Sequence, residues 1–447
     1  MLEIRWTEDG EARSARWRSE NGSPPPARVV IADERLAAAT AYRLACEGTA
    51  LLWRGDFHAA RRLLRAMARR ADRHPPNPTR SPHPSHAPSP APSAPASASP
   101  MAPASAASPS RPSGSPPGSA SVPSLAPASA SPPAPGFASP PALASAHPPA
   151  SAPALASSLA QDFHQYRRAR SQRAVTLGRL LVPLDPDHSV PLRRAPDVRD
   201  ACAQVYGPAT EASVVSLREL LGIVGAYEWR RRGVEVPALN DRIHPHYGVF
   251  SPVRGEYVDL VAAAPLVSRA GAFDIGTGTG VLAAVLARRG VERVVATDRD
   301  PRAVACARDN LRRLGLSGRV HVLDADLFPS GRAPLVVCNP PWLPAKPVSP
   351  LDHAVYDPGS RMLRGFLDGL GEHLTPEGEG WLILSDLAER LGLRTRADLL
   401  SAFTSAGLQV VDQLHTRPRH PRASDQTDPL HAARATEITS LWRLRRT

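Results

Sequence analysis

The run Val336-Val337-Cys338-Asn339-Pro340-Pro341-Trp342 holds the most specific chemistry in the chain. The Asn339 side-chain oxygen and the Pro340 carbonyl both accept hydrogen bonds. Together they can take an NH2 group and turn its lone pair toward an arriving methyl while absorbing the positive charge that grows on its N–H bonds. The arrangement suits a planar nitrogen, in an amide or on the exocyclic amine of a base. Pro340 lacks an N–H and has a fixed φ, which helps hold the turn. Trp342 offers a face on which a flat substrate stacks. Positioning does most of the work, without an acid or base of shifted pKa. A proline-rich turn closing a strand is the competing account of the same residues.

Upstream, Phe273-Asp274-Ile275-Gly276-Thr277-Gly278-Thr279-Gly280 runs from an apolar strand through a glycine-rich turn toward a helix. Without Cβ atoms the backbone can approach a ligand closely, and amides at a helix N-terminus face it. A dinucleotide site would carry G-x-G-x-x-G against a pyrophosphate. Here the glycines alternate at 276, 278 and 280, and Asp274 stands two residues ahead of the first. That carboxylate would repel a pyrophosphate but could accept from the ammonium of a methionyl group, directly or through water. S-adenosylmethionine fits the turn, with Thr277 among its contacts, and NAD does not. Asp298, about 20 residues on at the end of the next strand, can accept from both ribose hydroxyls. Its alternative role as a helix cap before Pro301 suits Asp300 better. After the third strand, Asp326 or Asp324 is expected to accept from the adenine amine, and Leu327 or Phe328 to cover the ring. Asn339 is assigned to the cofactor set as well as the catalytic one.

Positioning these groups takes a doubly wound α/β sheet. Apolar runs predict strands over 272–275, 293–297, 320–323, 335–338, 380–385, 409–414 and 436–444. Helical patterns predict helices over 281–289, 301–314 and 359–373, and a long one from Asp386 toward Ala406. The last two strands, with no helix between them, predict an antiparallel hairpin at the edge of a Rossmann-like seven-stranded sheet.

With those residues in order, the segment 240–445 resembles the class I S-adenosylmethionine-dependent methyltransferases that carry an (Asp/Asn)-Pro-Pro-(aromatic) motif. These include adenine-N6 DNA and RNA methyltransferases, guanine-N2 ribosomal RNA methyltransferases, and the glutamine-N5 methyltransferases of peptide release factors. The match runs through Asp274-x-Gly276-x-Gly278, Asp298, Asp324/Asp326 with Leu327-Phe328, and the tetrad 339–342. It covers just under half the chain, and Trp342 departs from the commoner Tyr or Phe. The resemblance implies transfer of a methyl group to a planar nitrogen of a macromolecule, and the basic character of the chain places RNA ahead of protein glutamine, with DNA third. It also implies that a segment like 246–257 closes over the site, so that Phe250, Pro252 and Arg254 line it; packing of Tyr247 and Phe250 into the core is the alternative. Lys346 stands where a cation could meet a phosphate or carboxylate at the substrate mouth, or simply on a solvated surface. Two other classes of function compete, a SAM-binding or RNA-binding protein with little catalysis and an NAD-dependent oxidoreductase.

The rest of the chain is less specific. Residues 1–73 predict a short strand over 29–31 and two helices within 32–71, the second ending in the basic face of Arg61, Arg62, Arg65, Arg69 and Arg70. That face is read as a solvated amphipathic surface, with a binding patch as the alternative. Residues 74–160 are almost wholly Ser, Pro and Ala, cannot bury enough apolar area to offset chain entropy, and are expected to be a disordered insertion. Residues 161–239 predict the second part of a mostly helical module packed against 1–73, ahead of a methyltransferase domain over 240–447. The formal charge of +12 points to an acidic partner. Lys346 is the only lysine, so the arginine excess also fits a coding bias. The four cysteines show no CxxC or metal-finger spacing and the histidines form no metal set, so no metal is expected. The acidic N-terminus and the lack of a long apolar run lead to the expectation of a cytoplasmic protein without membrane contact.

Overall fold

The computed structural model describes residues 2–73, 152–208, 210–419 and 425–447. The expectation of disorder over 74–151 lies outside them. Residues 152–160, expected to be part of that insertion, form the opening turns of a helix, Ala152–Leu177.

The N-terminal region is built on a six-stranded sheet of β1 (Glu3–Glu8), β2 (Glu11–Arg18), β3 (Arg28–Ala32), β4 (Thr49–Trp53), β5 (Leu180–Leu184) and β6 (Ser213–Ser216), in the order β1-β2-β6-β5-β4-β3. Its helices are α1 (Ala38–Cys46), α2 (Phe57–Arg73), α3 (Ala152–Leu177), α4 (Arg199–Tyr206) and α5 (Leu217–Arg232). Strands from both sides of residues 74–151 therefore share one sheet, joined where Leu51 and Leu52 pair with Leu180 and Leu181. The expectation of a mostly helical module is corrected by these strands. β4 reads Thr-Ala-Leu-Leu-Trp and is buried throughout, so it has no polar face to produce the two-residue alternation of a half-buried strand. The β1–β2 hairpin did leave a signal, since Asp9-Gly10 takes positive φ at both residues, as a tight hairpin turn requires.

A two-stranded hairpin, β7 (Val234–Val236) and β8 (Asp241–Ile243), leads into the second sheet. It straddles the expected boundary at 239/240, because Val236, Leu239 and Ile243 all pack into the C-terminal core. That sheet comprises β9 (Ala272–Ile275), β10 (Val294–Asp298), β11 (Val320–Asp324), β12 (Ala333–Cys338), β13 (Leu374–Ser385), β14 (Leu408–Thr416) and β15 (Thr439–Arg446). Its order is β11-β10-β9-β12-β13-β15-β14, parallel from β11 to β13, with β15 antiparallel to both neighbours. The connecting helices are α6 (Glu256–Ala263), α7 (Val281–Arg288), α8 (Pro301–Arg313), α9 (Arg361–His373), α10 (Leu387–Arg390), α11 (Arg396–Ser405) and α12 (His431–Ala435).

Successive strand residues face opposite sides of the sheet. Ala272, Val294, Leu335 and Val337 pack with α6, α7 and α8. Phe273, Ile275, Val336 and Cys338 pack with α9 and α11 on the other side. Burial on both faces explains why these strands read as continuous apolar runs. The long helix expected over 386–406 is two, α10 and α11. Gly392 turns through φ +66°, and Thr395 then starts α11 in a reciprocal capping box with Asp398.

Candidate active site

β9 has β10 on one side and β12 on the other, so the chain leaves the sheet in opposite directions from adjacent strands and opens a crevice at their carboxyl ends. Cys338 pairs with Ile275, which sets Asn339 beside Gly276. The glycine turn and the Asn-Pro-Pro-Trp run, 63 residues apart in the chain, meet there.

Asp274 is buried, with 1% of its surface exposed, and its Oδ2 accepts from the Thr277 hydroxyl at 2.6 Å and the Ala283 N–H at 3.0 Å. It thus ties the start of the turn to the first turn of α7. Burial pushes its carboxyl up to about 6; the nearby charge of Asp298 adds to this, and the two hydrogen bonds oppose it. Gly276 takes φ +71°, and a Cβ there would lie 2.4 Å from the Met362 Cε. Gly280 takes φ +81° against Ala307, so a side chain at either position would meet strain and a neighbour. The Gly278 N–H donates to Asp298 Oδ2 at 2.9 Å, and the Asp300 N–H to Asp298 Oδ1 at 3.0 Å. Burial raises the Asp298 pKa, and these backbone bonds hold the rise in check. Asp300 caps α8 by accepting from the Arg302 N–H, which leaves Asp298 facing the turn.

Beyond β10 the expected residues part company. Asp324 closes β11 in register with Asp298 and is exposed. Asp326 is engaged by the Arg361 guanidinium at the start of α9. Leu327 takes φ +74° and its carbonyl accepts from the Thr297 hydroxyl. Phe328 is stacked on His373, with ring centroids 4.2 Å apart, and so is committed to α9.

In the tetrad, the Trp342 indole N–H donates to Asn339 Oδ1 at 2.9 Å. This bond fixes the Asn339 amide, and a carbonyl oxygen has a second lone pair for another donor. Trp342 is half-buried, packed against the cores on both sides of the sheet. Arg254 lies over its ring, 5.8 Å from the centroid. Its guanidinium is also 3.5 Å from Glu437 Oε1, to which the Ser385 hydroxyl donates at 2.6 Å. The segment 246–257 therefore reaches the tetrad through Arg254, while Phe250 is half-buried and Pro252 buried within it. Lys346 is exposed, and its carbonyl accepts from Arg167 of α3 at 2.7 Å.

Sequence reading missed Met362, Asp357 and Glu437. Asp357 accepts from the Met362 and Leu363 N–H groups and so starts α9 with Met362 over Gly276. Glu437 is fully buried, 183 residues from Arg254, and no local pattern joins the two. Among the described residues, no group of His, Cys, Asp and Glu could hold a metal ion, and no helix is long and apolar enough to cross a membrane.

S-adenosylmethionine fits this set. Above Gly278 the turn is open, with nothing within 4 Å of where a Cβ would stand, and each Asp298 oxygen keeps accepting capacity beside its backbone bond.

Comparison with known proteins places the segment. The methyltransferase small domain family matches residues 241–389. Over 180 residues the chain is 32% identical to a release factor glutamine methyltransferase of Cereibacter sphaeroides, covering 37% of this chain and 63% of that protein. Over 69 residues it is 49% identical to a ribosomal protein L11 methyltransferase of Pelotomaculum thermopropionicum, covering 15% of this chain and 22% of that protein. A release factor glutamine methyltransferase of Moorella thermoacetica is 37% identical over 119 residues, 24% of this chain and 41% of that protein. The chain thus spans less than two thirds of the length of these relatives. Residues 241–389 of this chain are thus similar to the methyltransferase small domain family.

Proposed function

We propose that this protein transfers a methyl group from S-adenosylmethionine to a planar nitrogen of a macromolecule, with a protein side-chain amide as the first choice of acceptor and an RNA base as the second. The observation that carries the reading is the Asn339-Pro340-Pro341-Trp342 run at the carboxyl end of β12, beside the glycine turn and in reach of Arg254. S-adenosylmethionine supplies an electrophilic methyl on its sulfonium. Asp298 takes the ribose hydroxyls, Asp324 the adenine amine, and the amides at 276–280 the methionyl end. Asp274 stabilises the turn from beneath and its charge favours the ammonium. Asn339, held by Trp342, accepts one N–H of the acceptor with its remaining lone pair, and the Pro340 carbonyl accepts the other. The acceptor's lone pair then points at the methyl, and its surplus proton leaves to water after the N–C bond has formed. Charge alone had put RNA first. The release factor glutamine methyltransferases among the relatives support the amide instead.

The test uses ribosomal and soluble fractions from cells lacking the gene, incubated with purified protein and methyl-labelled S-adenosylmethionine. Label should appear in protein hydrolysates as a methylated amide. Asn339→Ala should cut the rate by about 10²–10³, the loss seen when one charge-stabilising contact is removed from an active site, with S-adenosylhomocysteine affinity kept. Unchanged transfer by the variant, or NAD retained by the native protein, defeats the reading.

A further inference from the structure

Helix α2 carries Arg61, Arg62, Arg65, Arg69, Arg70 and Arg73, and its opposite face is fully used. Phe57, Ala60, Leu63, Leu64, Met67 and Ala71 are buried against the N-terminal core. Arg62, Arg65, Arg69 and Arg73 are exposed and succeed one another at helical spacing, so they form a single row about 16 Å long at 1.5 Å per residue. Adjacent guanidinia in such a row start from Cβ atoms about 5–6 Å apart, and like charges at these spacings destabilise a helix.

Among the described residues, no acidic side chain pairs with that row; Arg73 Nε donates only to the Arg69 carbonyl, at 3.4 Å. The only acid on α2, Asp72, is taken by Arg173 of α3 at 2.8 Å. Among the described residues, every other helix that carries arginine has at least one of its arginines in an ion pair, and α2 has none. A coding bias toward arginine acts on the whole chain and does not account for one helix left without counter-charge. The sequence that follows holds no Asp or Glu before Asp162.

We infer that the exposed row on α2 is a docking surface for the phosphodiester backbone of RNA. A regular line of guanidinia matches a regular line of phosphates, and each fork can hold a phosphate through two N–H donors. An anionic membrane is the poorer fit, because a surface-bound helix must bury apolar side chains in the lipid, and those of α2 are already buried in the protein. None of the four arginines is among the residues of the methyl-transfer site, so occupation of the row needs neither cofactor nor acceptor.

The test measures fluorescence anisotropy of a labelled single-stranded uridine oligonucleotide with the full-length protein from about 50 to 200 mM salt. Four phosphate contacts predict a slope of log K against log salt of about −3. Replacing Arg62, Arg65, Arg69 and Arg73 together by Gln should flatten that slope and weaken binding by about a hundredfold at low salt. S-adenosylhomocysteine affinity should stay unchanged, which also reports that the variant is folded. In the unaltered protein, the oligonucleotide should shield arginines of α2 from dicarbonyl modification, a readout independent of any variant's folding. Equal RNA affinity in parent and variant, or no shielding of α2, overturns the inference. So does equally tight binding of polyglutamate or of phosphatidylserine vesicles, which would make the surface a protein or membrane site instead.

Discussion

The two sheets of this protein handle chemistry and sequence in opposite ways. In the seven-stranded sheet, β9, β10, β12 and β13 are each followed by a helix before the next strand, and the groups proposed to act lie in the few residues after a strand: Gly276–Gly280 after β9, Asp298 closing β10, Asn339–Trp342 after β12. Each is a local pattern with its own spacing. In the six-stranded sheet, the two pairings that close it join strands far apart in the chain, β2 lying beside β6 and β4 beside β5. Its charged features are assembled from a distance, as when Arg194 grips the buried Asp56 from 138 residues away at 2.6 Å. Chemistry that is local in sequence announces itself, whereas a scaffold closed by distant partners does not.

The largest expected effect tests whether the scaffold is energetically separate from the site. Trp53 is 1% exposed at the end of β4, and its indole N–H donates to the Asp56 carbonyl at 3.0 Å. Trp53→Ala should cost about 3–5 kcal/mol, the range for a large buried aromatic. In a denaturant titration followed by S-adenosylhomocysteine binding, the N-terminal sheet should melt first while binding persists. Loss of binding in the same transition would show one cooperative unit and dissolve the contrast.

A second effect lies within the glycine turn. The Asp274 carboxyl is raised from 3.8 to about 6, so the folded protein holds a proton there that the unfolded chain has released. Stability from this group is full below about pH 4 and falls as pH rises toward 6, by about 3 kcal/mol for a shift of some two pH units. In ligand-free protein the stability of the parent relative to Asp274→Asn should decline across that window and stay level above it. A difference independent of pH would mean that the carboxyl ionises as freely as an exposed one.

How far the sequence was readable follows the same division. β9 was bounded residue for residue, and β10, β11 and α7 to within a residue, because buried parallel strands ending in glycine or acid leave sharp edges. The Trp342–Asn339 bond was not legible, since the sequence does not say which way an indole turns. Nor was Met362, which reaches Gly276 only because Asp357 sets the start of α9. Phe328, a plausible cover for an adenine by position, is drawn into a stack with His373 and Phe366 that forms across 45 residues or fewer, yet through space alone. β4 and β5 were hidden because apolar runs of five residues serve a helix or a buried strand equally well until a partner strand is known.

The smallest expected effect separates the two acids at neighbouring strand ends. Asp298 holds the turn through Gly278 and is mostly buried, whereas Asp324 beside it is exposed. A hydrogen bond to a charged group in a sheltered site is worth about 1.5–3 kcal/mol, and a neutral or solvated one about 0.5–1.5. Asp298→Ala should therefore weaken S-adenosylhomocysteine about tenfold to a hundredfold by calorimetry, and Asp324→Ala about tenfold or less. Part of the Asp298 loss comes from freeing the Gly278 and Asp300 N–H groups, so Asp298→Asn, which keeps one acceptor oxygen, should fall between the alanine variant and the parent. Equal losses at the two positions would mean that burial does not set the strength of these contacts. An unchanged affinity in Asp298→Ala would remove the ribose from this end of β10 altogether.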